Sequence, residues 1–248
     1  MRDPITFMDL SDVRKLAIER EVEERNNGEN DHFMYIVLEL EGKNLRQYYD
    51  EKIKEQGGEV ERRENEELLL KIIKGAAKAL EQFHNFGVHG DVKSENFVIF
   101  LEQNPELDFI EVKIIDFNLS IVGDLRTLLD TGLLSRPFKA PEIKNTDNLT
   151  RAADIWAFGQ MVKSLLPPEL PNDDLWLRTK HNAKLNRVIR ECCRVNPNDR
   201  PEINTIYEFL NNEIEFLTKN DEKDQKEIAE IERTEKKNRR RKNWSVKQ

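Results

Sequence analysis

Apolar residues recur at three- and four-residue steps across residues 65–86. Leu69, Ile72, Ile73, Ala76, Leu80 and Phe83 mark one face of the chain's longest predicted amphipathic helix. Gly87 follows and reads as its C-cap. A second helix is expected from Lys43 to about Lys54, stopped by Gly57-Gly58. Residues 33–38 are aromatic and β-branched with no helical period, which predicts a buried strand. Residues 97–100 and 111–115 predict two short strands joined by a polar hairpin loop over 102–108, with Pro105 inside it. Nearer the start, charges alternate with Val13, Leu16, Ile18 and Val22. This pattern predicts a weak amphipathic helix over residues 11–26, capped by Ser11 and ended by Asn26-Asn27-Gly28. From Leu149 onward the periods are helical again, with breaks at Pro167-Pro168 and Pro197. Residues 221–235 are charge-dominated, with only Ile228, Ala229 and Ile231 apolar, and lead into the basic run at 236–242. That pattern predicts a solvent-exposed helix fraying into disorder. No internal repeat interrupts the series.

Composition narrows what such a chain does. Hydrophobic residues make up 38% and charged residues 35% of 248, enough for a real core under a charged surface. A formal net charge of −8 argues against a nucleic-acid or membrane surface running along the whole chain. The basic run alone is a candidate nuclear-import or phosphate contact. No apolar run approaches about 18 residues and the first seven residues lack an apolar core, so neither spanning nor secretion is expected. Cys192 and Cys193 are adjacent and form no disulfide framework, which fits a reducing compartment and a cytoplasmic protein. They read as core residues of a late helix, since no cysteine or histidine stands at ligand spacing. His32, His84 and His181 show no clustering.

Two loops carry the candidate chemistry. The first is His89-Gly90-Asp91-Val92-Lys93-Ser94-Glu95-Asn96, between the long helix and an apolar strand. The second is Asp116-Phe117-Asn118, directly after another strand. Phosphoryl transfer needs a carboxylate at the attacking hydroxyl, a cation near the moving phosphate and oxygen ligands for magnesium. Asp91, Lys93, Asn96 and Asp116 together supply these kinds.

The first loop resembles the protein kinase catalytic loop H-R-D-L-x-x-x-N, with aspartate five residues before asparagine. Asp116-Phe117-Asn118 resembles D-F-G, and Ala140-Pro141-Glu142 reproduces A-P-E. Asp154-Ile155-Trp156-Ala157-Phe158-Gly159 resembles the family's buried helix, whose aspartate anchors the catalytic loop, and Arg200 the late arginine that pairs with Glu142. Residues 35–45 look like the fifth strand, hinge and following helix, which makes Leu38 the gatekeeper and sets adenine against the backbone at Glu39 and Glu41. Ser135 stands in the place of the family's hydroxyl ahead of A-P-E, and His89 is a structural side chain under the loop.

The chain departs from the family pattern in three places. Before Leu38 it has one glycine, Gly28, and one lysine, Lys15, so no glycine-rich loop or strand lysine is found there, although Glu21 resembles the regulatory-helix glutamate. Gly90 replaces an arginine, which implies that loop order does not depend on a phosphate in the activation segment. Asn118 replaces a glycine, and asparagine tolerates left-handed backbone well enough for Asp116 to keep its metal role.

The resemblance implies an α+β, protein-kinase-like fold, mainly the helical C-terminal lobe with a vestigial N-terminal lobe. Residues 1–32 would be the small-lobe remnant with its regulatory helix, 33–212 the large lobe with the hinge, and 213–248 a charged tail. It further implies transfer of the ATP γ-phosphate to protein serine or threonine. Asp91 and Lys93 would be catalytic, Asn96 and Asp116 would hold Mg2+, and Glu39, Glu41, Asn96 and Asp116 would bind nucleotide. The alternatives are a pseudokinase scaffold acting on a partner kinase, and a fragment of a full kinase. No membrane partner is expected, and nucleic acid only at the basic tail, through which nuclear localisation would also arise.

Overall fold

The computed structural model describes residues 42–55, 62–117, 119–122, 125–126, 138–143, 149–166 and 184–245. The expected strand at 33–38 and helix at 11–26 lie outside these residues, as do Lys15, Glu21, Leu38, Glu39, Glu41, Asn118 and Ser135.

Helix α1, Leu45–Glu55, buries Leu45 and Tyr49. Its start is fixed by Asn44, whose Oδ1 accepts from the Gln47 amide at 2.9 Å. Helix α2 runs Arg62–His84, a turn earlier at its start than periodicity alone indicates. The stripe from Leu69 to Phe83 is buried as its spacing requires. Gly87 is not the cap of this helix. It begins strand β1, Gly87–Val88, and pairs with Val122 of β4, Ile121–Val122. A Cβ on Gly87 would lie 2.0 Å from the Ile121 carbonyl oxygen, so close strand approach explains this glycine. Strand β5, Leu125–Arg126, adds to β4.

Strands β2, Phe97–Ile99, and β3, Val112–Ile114, form the expected antiparallel hairpin, with Phe97 opposite Ile114 and Ile99 opposite Val112. Gln103 knits its loop: Nε2 donates to the Phe100 carbonyl at 2.9 Å, and Oε1 accepts from the Glu111 amide at 2.7 Å.

Helix α3, Arg151–Leu165, is the axis of the lobe. It is apolar on nearly every side, with Ala153, Ile155, Phe158, Met161, Val162 and Leu165 all buried, as suits a helix surrounded by others. Helix α4, Lys184–Cys192, packs along it, and helix α5, Ile203–Leu210, packs against α2. Cys192 is buried in this core and Cys193 packs at its edge, as the sequence suggests. Among the described residues, then, the architecture is a helical core with two small sheets at the face that carries the loops.

Helix α6, Lys219–Ser245, ends the described chain. Its first turns belong to the lobe, although the sequence places them in a charged tail beginning at 213. Leu217 is in the core, and Asp221 is fully buried against α4. Asp221 accepts from Arg187 Nε at 3.0 Å and Nη2 at 2.7 Å and from Arg190 Nη2 at 2.8 Å. The expected solvent-exposed helix starts after this docked turn.

Candidate active site

The loop between β1 and β2 hangs from α3. Asp154, itself buried, accepts the His89 amide on Oδ2 at 2.7 Å and the Gly90 amide on Oδ1 at 2.8 Å. His84, at the end of α2, reaches the same Oδ2 through Nε2 at 3.0 Å. The histidines that show no clustering in sequence therefore include one that meets a site residue 70 positions away. Two backbone donors and an imidazole around one desolvated carboxylate make a rigid anchor, because both carboxylate oxygens are engaged.

His89 is the second support. Its Nδ1 accepts the Asp91 amide at 3.2 Å, so the ring proton sits on Nε2 and donates to the Ile115 carbonyl at 3.0 Å. Burial pushes its pKa down, against the opposing pull of Asp154, the Ile115 bond, Asp91 and Asp116. A neutral ring that joins Asp91 to the strand before Asp116 is a structural side chain, as expected from sequence. Ser120 adds a tie that sequence reading missed, its hydroxyl donating to the His89 carbonyl at 2.9 Å.

Gly90 has φ +83°, and a Cβ there would lie 2.5 Å from the Leu119 carbonyl oxygen. The position is left-handed and crowded by backbone, which is why glycine occupies it here.

Three of the predicted site residues converge. Asp91 Oδ2 accepts from Lys93 Nζ and, at 3.1 Å, from Asn96 Nδ2, which also donates to the Asp91 carbonyl at 2.8 Å. The short 3-10 turn Ser94–Asn96 brings Asn96 back onto Asp91. Asp91 is 7% exposed and lines a small pocket, with Val92, Phe138, Ala140 and Ile143 on its apolar side. A carboxylate fixed by two donors at the wall of a cleft is suited to orient a hydroxyl.

Asp116 stands just past the end of the neighbouring hairpin. The Ile115 amide donates to the Asn96 carbonyl at 2.9 Å, so Asp116 follows directly from a residue tied to Asn96. It is exposed and has φ +64°, left-handed backbone that aspartate enters more readily than most residues. Such conformations cluster where side chains must be aimed. The sequence points to Asn118, outside the described residues, for left-handed backbone in this loop; among the loop's described residues it is Asp116 that adopts it. Phe117 is seated by stacking on Phe83 at 5.1 Å and by its edge-on contact with His89 at 5.7 Å.

The donor set fits a hard divalent cation. Asn96 commits its amide nitrogen to Asp91, which turns the amide oxygen the other way, and Asp116 presents an exposed carboxylate. Both are oxygen ligands of the kind magnesium takes. Among the described residues no group of three or more His, Cys, Asp or Glu side chains could hold a metal.

Glu142 and Arg200 form the bidentate pair expected from sequence, Nη1 to Oε1 at 2.6 Å and Nη2 to Oε2 at 2.8 Å. Among the described residues no helix is long and apolar enough to cross a membrane.

The family described as the protein kinase domain matches residues 14–227 of the chain. Three curated relatives are similar over about half of it. Pollen receptor-like kinase 1 of Petunia integrifolia is 33% identical over 122 residues, 47% of this chain and 15% of the relative. Serine/threonine-protein kinase 33 of Mus musculus is 32% identical over 156 residues, 57% of this chain and 29% of the relative. Serine/threonine-protein kinase fray2 of Dictyostelium discoideum is 30% identical over 166 residues, 55% of this chain and 15% of the relative. The chain thus spans less than a third of the length of each of these relatives.

Proposed function

The chain belongs to the protein kinase domain family, and from that premise we propose that it transfers the γ-phosphate of ATP to a serine or threonine hydroxyl of a protein. One observation carries this reading: Lys93 and Asn96 both converge on the single carboxylate oxygen Asp91 Oδ2 at the cleft wall.

In this reading the substrate hydroxyl enters the cleft and hydrogen-bonds to Asp91, which orients it and takes its proton as the phosphoryl group transfers. Lys93 sits where it neutralises negative charge developing on the transferring group. The family resemblance implies that the adenine edge would meet the chain at Glu39 and Glu41, outside the described residues. Asn96 and Asp116 hold Mg2+, which, when bound, offsets charge on the β- and γ-phosphates. The neutral His89 and the buried Asp154 keep this constellation from drifting, without touching substrate.

A second reading is a scaffold that has the geometry without the turnover. It is favoured by the stretch before Leu38, whose one glycine and one lysine do not supply the phosphate clamp of the family.

Nucleotide binding tests whether the site works. Without the clamp we expect a dissociation constant on the order of 0.1 mM or weaker for MgATP. At a few millimolar MgATP that corresponds to about 2 kcal/mol of stabilisation, a rise in Tm of several degrees. Asp116→Ala should abolish the shift. A parent protein whose Tm is unmoved by MgATP would remove the nucleotide site from this account.

A further inference from the structure

The pocket beside Asp91 carries a cation that the phosphoryl-transfer reading leaves without a role. Lys139 lines this pocket together with Asp91 and is half-buried there, between Phe138 and Ala140. Among the described residues it makes no hydrogen bond and no ion pair. The acids around it are committed to other partners. Asp91 Oδ2 accepts from Lys93 and Asn96. Asp154, the other acid lining the pocket, is held by the amides of His89 and Gly90 and by His84. Glu142, three residues further along the chain, spends both oxygens on Arg200.

An ammonium drawn partly out of water has lost some hydration, and a counter-charge would restore what it lost. Lys93 already neutralises Asp91, so the charge on Lys139 is a surplus at this wall of the site. A peptide whose hydroxyl sits at Asp91 brings its next residues to the same pocket, since consecutive Cα atoms are only about 3.8 Å apart. The lysine stem is flexible and its head is a point charge with three donors, so it can meet a short carboxylate without a fixed geometry.

Glu95 is the competing charge. It is exposed on the same loop as Asp91 and would favour a basic neighbour, but it does not line the pocket. We infer that Lys139 selects substrates with an aspartate or glutamate beside the phosphorylated serine or threonine, which makes acidic segments the substrate class. The inference rests on the phosphoryl-transfer reading for its use, and on the pocket alone for the recognition.

Three labelled serine peptides test this with the full chain. They share one neutral sequence and carry aspartate, alanine or lysine on both sides of the serine. Fluorescence anisotropy measures their binding without any turnover, and transfer of radiolabelled phosphate measures kcat/KM. In the parent the aspartate peptide should exceed the alanine peptide about tenfold and the lysine peptide about a hundredfold. Lys139→Gln should bring the aspartate-to-alanine ratio to within about twofold, Lys139→Arg should keep it, and Lys139→Glu should favour the lysine peptide. Each ratio is taken within one protein, so a change of folding or rate common to all three peptides cancels. Preferential binding of the aspartate peptide without transfer would uphold the inference and count against the kinase reading. Transfer without preference would do the reverse. Binding of none of the peptides, a Lys139→Gln ratio equal to the parent's, or a parent that prefers the lysine peptide would also overturn the inference, the last assigning selection to Glu95.

Discussion

Arg200 grips Glu142 with both arms of its guanidinium, at 2.6 and 2.8 Å, although the two residues are 58 positions apart. Its other donations go to the carbonyls of Arg194, Ala152 and Val195, and Trp156 lies 5.0 Å from its Cζ. The Arg200 side chain is 0% exposed. Burial works against the Glu142 carboxylate, but the Arg200 hydrogen bonds, its own backbone hydrogen bond and the Arg200 charge together outweigh it and hold its pKa below the usual glutamate range.

Arg200→Ala should therefore cost about 3–5 kcal/mol, because it leaves a partly buried carboxylate without its cation and three carbonyls without their donor. Arg233→Ala, on the exposed shaft of α6, should cost less than about 0.5 kcal/mol. Chemical denaturation of both variants against the parent measures the difference. Equal midpoints for Arg200→Ala and the parent would contradict the assignment of the pair.

This pair and the Asp154 anchor were both legible in the sequence, because each belongs to a short motif whose chemistry is fixed by its neighbours. Asp91, Lys93 and Asn96 were legible for the same reason, being five residues apart at most. What escaped sequence reading depends on distant partners. Asp221 looks like one more acid in a charged run, and only the folded lobe puts Arg187 and Arg190 beside it. His84 has no sequence cue toward Asp154. Gly87 was read locally, as the end of a helix, when its constraint is the approach of Ile121 from another strand. The left-handed backbone at Asp116 escaped because the neighbouring Asn118 offered the more obvious candidate.

His89 predicts how stability depends on pH. Burial lowers its pKa in the folded protein, while in the unfolded chain it titrates near pH ~6.5. Above that value both states hold the ring neutral and its contribution is complete. As pH falls below it, the unfolded chain takes up a proton that the folded protein refuses, so stability drops until the folded pKa is passed. Urea midpoints at pH 7.5, 6.5 and 5.5 should decline, and His89→Gln should decline less steeply over the same window. A variant with the same slope as the parent would show that His89 is not the group responsible.

The central claim is that the cluster around Asp91 performs phosphoryl transfer. Asp91→Asn retains the shape of the side chain and removes the charge that orients and deprotonates the hydroxyl. Groups of that kind contribute roughly 10²–10⁴-fold. Transfer of radiolabelled phosphate from ATP to a generic serine/threonine protein substrate, measured for the parent and for Asp91→Asn at matched Tm, is the most direct test. The account predicts measurable transfer by the parent and a loss of at least about a hundredfold in the variant. A parent no more active than its Asp91→Asn variant would contradict it and leave the scaffold reading in its place.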